Sequence, residues 1–446
     1  MKTWFRNRYF RIILLQGLIA EGLYIAYLLL DSSNDFKSNM QNHITLYALA
    51  FIPYIVSYYF LRKYRKSANQ THEARTFFLA AIVVFGLIFR LTLLPTHRST
   101  SDDYYRYLWE GKVLVHGHNP YEVSPNDTSL SYLRDSTIWA HVSYKNYVSN
   151  YQPGGQMVFA LGYIIGGESM YGLKIVYLLC DALLFFALVK LMRKRNLPDY
   201  YLLIYAWLPL PLFEYYVNAH LDIAALPFFV LAILYAAENK YWRGALVFSV
   251  SLLIKFYAVF ALPFLIKKLN LKLKIGYVAA IAILVALSYL PFFNDRHSVF
   301  ETLIIYLRRW EFNGSVYKIF VSLFQDTMRA RMVCTGLFIA FGLLVFFKGK
   351  DIVKSTYWAY LLFVIFGTTI YPWYLGWLAV LHPFGELGAV GALFFMVNLS
   401  NFTPFGDVWV EQTWVVALEY IVVFGFLCHD GWQIYRKRNN NKLDKK

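Results

Sequence analysis

The chain has 446 residues, of which 58% are hydrophobic, 20% aromatic and only 16% charged. That profile, with a positive mean hydropathy, excludes an ordinary soluble domain and describes a polytopic membrane protein. A net charge of +16 would suit a nucleic-acid binder, but Lys and Arg fall in short clusters between apolar runs, the pattern of positive cytoplasmic loops, so no nucleic-acid partner is expected.

Apolar runs long enough to cross a hydrocarbon layer of roughly 30 Å recur along the chain, and backbone groups there must pair within helices. The expected class is therefore all-α, one polytopic membrane domain over residues 1–446. Basic clusters at Lys2, Arg6, Arg8 and Arg11, at Arg62 to Arg75, at Arg193-Lys194-Arg195, at Lys267 to Lys274, at Lys348 to Lys354 and from Arg436 onward put these segments, and both termini, on the cytoplasmic side. The first apolar run, Ile12 to Leu30, follows no secretory cleavage pattern and reads as a retained span. Spans near 12–30, 44–61 and 76–95 then leave residues 96–155 as an extracytoplasmic loop.

Two apolar runs separate that loop from the cytoplasmic Arg193 cluster, and parity allows only an odd number of crossings. Met157 to Gly166 is too short to span, so it is expected as an interfacial or re-entrant helix, and Tyr171 to Met192 as the span. Spans near 200–217 and 222–237 turn outside at Asn218 to Asp222. The run Ala245 to Ile266 has basic residues at both ends and Lys255 at its middle, which predicts two half-length helices with Lys255 near the turn, tolerated only where they are buried in protein or line a wet cavity. Further spans near 275–292, 331–347, 355–371, 374–384, 387–399 and 413–429 bring the total to roughly 12 to 14 helices or half-helices. A second extracytoplasmic loop covers 293–330. Cys180, Cys334 and Cys428 lie far apart in apolar segments and read as buried thiols.

The first loop contains "SDDYYRYLWEGKVLVHGHNPY", Ser101 to Tyr121. With Ser101 as N-cap, Asp102 and Asp103 fall in a first helical turn, and Gly117 with Pro120 supplies a stop. Asp103, Arg106, Tyr107 and Glu110 then share one face. An ionised aspartate there is a candidate general base; the plainer alternatives are a solvated Asp103–Arg106 pair or two aspartates chelating a divalent cation. Lys255, an ionisable group inside an apolar run, is a candidate site residue, unless it snorkels to an interface.

The stretch resembles the first extracytoplasmic loop of the GT-C superfamily of membrane glycosyltransferases, in particular bacterial and GPI-type mannosyltransferases that use a polyprenyl-phosphate sugar. The resemblance rests on the acidic residue after the third apolar segment, the aromatic-rich helix, the Gly-x-x-Pro-Tyr turn at Gly117 to Tyr121, and "YQPGG" after it. "NAHLD" at 218–222, "LLIKFYAVFALP" around Lys255, "RRWEFNGS" around Trp310 and "YPWYLGWL" around Trp373 extend it along the chain. Ser101 stands where the GPI-type pattern has a second acid, and Asp102 is adjacent instead.

The resemblance implies inverting hexose transfer, with Asp103, or its neighbour Asp102, as base toward an acceptor hydroxyl on a glycolipid, glycan or protein. Arg106, Lys255, Arg308 and Arg309 are the candidate phosphate-binding cations. Tyr107, Glu110, Tyr151, His220, Asp222, Trp310, Asn313, Trp373 and Tyr374 are the candidate substrate contacts. For His220 and Asp222 a capping role competes, and for the aromatics a place in an interfacial belt. Glu21, Arg90, Asp181, Glu214 and Glu419 are expected to pair across the bundle. No metal site or cofactor is predicted, although a divalent cation is compatible. The expected location is the plasma (inner) membrane with an extracytoplasmic active site. A transporter or lipid flippase is the chief rival, since it would share the many spans and midplane charges.

Overall fold

The computed structural model describes residues 7–32, 35–67, 72–405 and 410–443; Lys2 and Arg6 of the first basic cluster lie outside the described residues. It is helical throughout, and the chain divides into two compact units, Met1–Trp310 and Glu311–Lys446. Among the described residues seven helices are long and apolar enough to cross a membrane, and six shorter apolar helices of 10–17 residues accompany them. Together they fall within the expected 12 to 14.

In the first unit, α1 (Arg8–Leu30), α2 (Phe36–Arg65) and α3 (His72–Leu93) pack against one another. Side-chain caps set two of their starts: Asn7 accepts from the amides of Tyr9 and Phe10, and Asp35 from that of Ser38. Leu15, Leu18 and Leu29 of α1 face outward, while Tyr24 and Tyr27 are buried, as a span with one lipid face and one protein face requires. Next come α4 (Asp103–Val115), α5 (Pro153–Gly166) and α6 (Tyr171–Lys194). The 14 residues of α5 rise only about 21 Å, too short to cross, as expected.

The span expected near 200–217 is not one helix. It is broken into short pieces, Asp199–Leu202, Leu203–Ala206 and Pro209–Leu212, and closes with a π-turn at Phe213–Val217. The cause is the "PLP" at 209–211, because neither proline offers an amide to the helical ladder. Every residue from Tyr200 to Pro227 is buried, so the irregular backbone is screened from lipid. After α7 (Asp222–Ala237), α8 (Tyr241–Ile254) stops where expected. Lys255 is extended (φ −146°, ψ 121°), and the chain resumes as a 3-10 turn, Phe256–Ala261, and a short helix, Leu262–Ile266. α9 (Leu271–Tyr289) and α10 (Glu301–Arg309) complete the unit.

The second unit packs α11 (Ser315–Phe324), α12 (Thr327–Lys348) and α13 (Ile352–Phe366) together, and α14 (Gly388–Met396) against α15 (Thr413–Leu443). The expected span at 374–384 is again a set of pieces, Pro372–Leu375, Gly376–Ala379 and His382–Gly385, the first and last of which open on Pro372 and Pro383 in their first two positions. A strand-like bridge ties the segment before α11 to the one after α13: the Phe312 amide donates to Thr368 (3.1 Å), and the Ile370 amide to Phe312 (2.7 Å).

Candidate active site

α4 starts one residue later than expected, with Asp102 and not Ser101 at the N-cap, and that start settles which way each aspartate points. The Asp103 amide donates to Ser101 Oγ at 3.2 Å, and the helix begins at Asp103. Asp102, one position outside, turns to the loop and accepts from Ser143 Oγ. Asp103 turns the other way, toward the chain reversal between the π-turn and α7. There His220 Nδ1 lies 3.8 Å from Asp103 Oδ2, and His220 Nε2 lies 3.5 Å from Glu214 Oε2. Lys255 Nζ lies 3.1 Å from Asp222 Oδ2, with the lysine 12% exposed and the aspartate fully buried. Asp103 keeps 37% of its side chain accessible.

This setting raises the Asp103 carboxyl to about 7, through burial first and the negative charge of Asp102 second; the Lys255 ammonium and the Tyr107 hydroxyl pull the other way. Tyr107 donates to Asp103 over a long 3.4 Å, and burial pushes its phenol well up, so it stays a donor.

Close backbone approach holds these pieces together. α4 and α5 meet at Gly111, where a Cβ would collide with the Phe159 carbonyl. The "PGG" that opens α5 sits on the end of α8: a Cβ on Gly154 would stand 2.8 Å from the Leu253 carbonyl, two residues before Lys255. Tyr151, just upstream, packs edge-on against Tyr107 and Phe159 (5.2 Å each) and has Lys255 Nζ 6.0 Å from its ring centre. Tyr107 stacks on Phe159 at 4.6 Å.

Arg106 pairs with Glu110, Nε to Oε1 at 2.5 Å, and not with Asp103 as the plainer alternative had it, and both are spent on the loop. Arg106 also donates to the carbonyls of Tyr144 (3.3 Å) and Tyr147 (2.8 Å). Glu110 accepts from Ser149 Oγ and Gln156 Nε2, each at 2.7 Å. With their polar atoms engaged, they hold the loop closed and do not present themselves as the phosphate and substrate ligands expected of them.

Arg308 and Arg309 are exposed at the end of α10, and among the described residues no hydrogen bond or ion pair joins them to the Asp103 cluster. Trp310 does reach the loop, with its ring 5.0 Å from that of Tyr144, the neighbour of Ser143. Asn313, Trp373 and Tyr374 belong to the second unit. Asn313 adopts a left-handed backbone (φ 51°) and donates from Nδ2 to both oxygens of Glu419 at 3.2 Å. Trp373 stacks on Tyr371 at 4.4 Å, and Tyr371 on Phe312 at 4.5 Å.

One support escaped the sequence reading. Asn218 Oδ1 accepts from the amides of Ser99 and Thr100, both at 3.1 Å, and its Nδ2 donates to Thr100 Oγ1 at 2.7 Å. Ser99 Oγ is 2.7 Å from His43 Nδ1 of α2. This buried network fixes the strand of chain that delivers Asp102 and Asp103.

Residues 22–269, more than half of the chain, match the sequence model of the family described as alpha-(1->6)-mannopyranosyltransferase, N-terminal domain. The chain belongs to that mannosyltransferase family. It is thus a membrane glycosyltransferase, acting between a sugar donor and an acceptor. The matched region contains Asp103, His220, Asp222 and Lys255, and stops before α9. No curated protein matches the chain.

Proposed function

We propose that the chain is a GT-C-type enzyme of the plasma membrane that moves mannose from a polyprenyl-phosphate donor to an acceptor hydroxyl on the extracytoplasmic side. The observation that carries this reading is the meeting of an accessible carboxylate, Asp103, with the Asp222–Lys255 pair in the same polar cluster. The acceptor O–H gives its proton to an Asp103 oxygen while that acceptor oxygen forms the new bond to the anomeric carbon. The bond from that carbon to the lipid phosphate breaks, and the phosphate leaves with the electron pair.

Asp103 suits the role because its raised affinity for protons matches a working pH near neutrality. Lys255 suits the leaving group: it already lies within reach of one anion, Asp222, and a phosphate beside it adds a second. With Asp103 and Asp222 both ionised against one ammonium, the cluster is short of positive charge until the base takes its proton, which ties departure of the phosphate to proton transfer. The family's description points to an α-(1→6) product, so attack by a primary hydroxyl with inversion calls for a β-linked donor. Purified protein supplied with a polyprenyl-phosphate hexose and oligomannoside acceptors tests the proposal. Transfer that is lost in Asp103→Asn and kept in Asp102→Asn supports it; full transfer in Asp103→Asn overturns the base assignment, and transfer only from a nucleotide sugar overturns the donor.

A further inference from the structure

At the end of α3 far from Asp103 lies a cavity of about 800 Å³ that the transferase reading does not use. α3 rises roughly 33 Å between its first residue and the end that leads to Asp103, so the two places are separate. The cavity is lined by Arg65 from the last turn of α2, His72, Arg75 and Leu79 from the first turns of α3, and Arg193 from the last turn of α6, with Asp199 beyond.

Among the described residues, three guanidiniums from three helices thus line one concavity together with one carboxylate, that of Asp199. Two of them are held in place. Arg193 donates from Nε and Nη2 to Asp199 Oδ2 at 3.0 and 2.7 Å. Arg65 donates from Nη1 to the Tyr201 hydroxyl at 2.9 Å and lies 5.2 Å over that ring. Charge bias across the membrane explains why basic residues end these helices. It does not by itself gather Arg65, Arg75 and Arg193 from three separate helices around one concavity, where each keeps an exposed position.

The volume is that of a ligand site, and guanidiniums pair with phosphate in a bidentate fork. The setting names the source. The cavity is walled by the basic ends of α2, α3 and α6 and by Leu79, which belongs to the apolar run of α3 that starts at Phe77, and basic helix ends beside an apolar span are where an anionic lipid headgroup is recognised. We propose that this cavity binds the phosphate of an anionic membrane phospholipid, clamping the ends of α2, α3 and α6 from the leaflet opposite the active site.

The test uses the full chain, delipidated in a neutral detergent and titrated with phosphatidylglycerol, phosphatidylcholine or inorganic phosphate. Retention is read by native mass spectrometry and stability by thermal unfolding. Wild type should retain phosphatidylglycerol in preference to phosphatidylcholine and gain thermal stability from it. Arg75→Gln and Arg193→Gln should each weaken retention, on the order of fivefold per arginine, with the lipid-free transition unchanged. Asp103→Asn should retain the lipid as wild type does, which separates this site from the catalytic one. Equal retention by wild type and the Arg75→Gln, Arg193→Gln double variant overturns the site. Stabilisation by inorganic phosphate equal to that by phosphatidylglycerol overturns the lipid as its ligand. If the double variant fails to fold, the single Arg75→Gln variant decides in the same way.

Discussion

Two groups of buried charge in the first unit are built to opposite ends. In the helix interior, Arg90 Nε meets Asp181 Oδ2 at 2.5 Å with both side chains fully buried. The closure goes further: Arg90 Nη1 donates to the carbonyls of Gly86 and Ala206 at 2.8 Å each, and Asp181 accepts from the hydroxyls of Tyr205 (2.9 Å) and Tyr216 (3.1 Å). In the Asp103 cluster, by contrast, Lys255 Nζ lies 3.1 Å from Asp222 Oδ2 and keeps some exposure, and the nearby aspartate is more than one-third accessible. Ionisable residues in a membrane protein are costly in either place. Where several partners offset the cost, as at Arg90 and Asp181, the expected role is in the fold; where a carboxylate stays accessible, as at Asp103, the proposed role is toward a substrate. The sequence expected Arg90 and Asp181 to pair across the bundle, and they do.

The largest effect should come from the open cluster. Asp103→Asn is expected to lower the transfer rate by roughly two to four orders of magnitude, the usual contribution of a positioned general base, with thermal unfolding close to that of wild type. A variant equally inactive and unfolded would move Asp103 into the structural class with Asp181.

The closed pair should answer in the reverse sense. Arg90→Met leaves the Asp181 carboxylate uncompensated, so folded yield and thermal stability should fall by about 3–5 kcal/mol. The double change Arg90→Met, Asp181→Leu should recover much of it, because an apolar pair of similar size removes both charges. Measured per folded molecule, transfer should stay near wild type in the double variant. A selective loss of rate there would break the distinction between the two groups.

Lys255→Met sits between these cases. Its removal strands the buried Asp222, so the informative variant is Lys255→Met with Asp222→Asn. That pair should fold, retain Asp103 as base, and need on the order of ten- to a hundredfold more donor for half-maximal rate, as expected for one lost charge-assisted phosphate contact. Unchanged donor dependence would remove Lys255 from the site.

How much of this cluster the sequence disclosed has a physical explanation. Spacing along one helix is local, so the face shared by Asp103, Arg106, Tyr107 and Glu110 was readable, although Arg106 pairs with Glu110 and not with Asp103. The purpose of that contact was not, because its other partners, Tyr147, Ser149 and Gln156, come from about 40 residues away. Charge parity disclosed the break at Lys255. It gave no warning that 200–217 would break as well, although Pro209 and Pro211 stood in plain view, because hydropathy measures what is buried and not how the backbone is paired. Asp102 and Asp103 were indistinguishable for a related reason: neighbours on a helix point about 100° apart, so their roles separate only once the helix start is known. Arg308 and Arg309 were chosen for charge alone, and charge at the end of an exposed helix fixes no destination.

The smallest effect is also the one that most directly separates the two aspartates. As a base, Asp103 works only when deprotonated, so the rate of wild-type transfer should climb as pH rises through about 7 and level off above it. Burial is the larger cause of that elevated value, and the charge of Asp102 the second. Asp102→Asn removes the second and leaves the first. Its rising limb should therefore move to lower pH, by a fraction of the full displacement, with a plateau rate close to wild type. The sign is fixed, because a neutral neighbour makes it easier for Asp103 to carry negative charge. If Asp102 were the base, the same variant would lose the plateau itself, and there would be no limb left to shift.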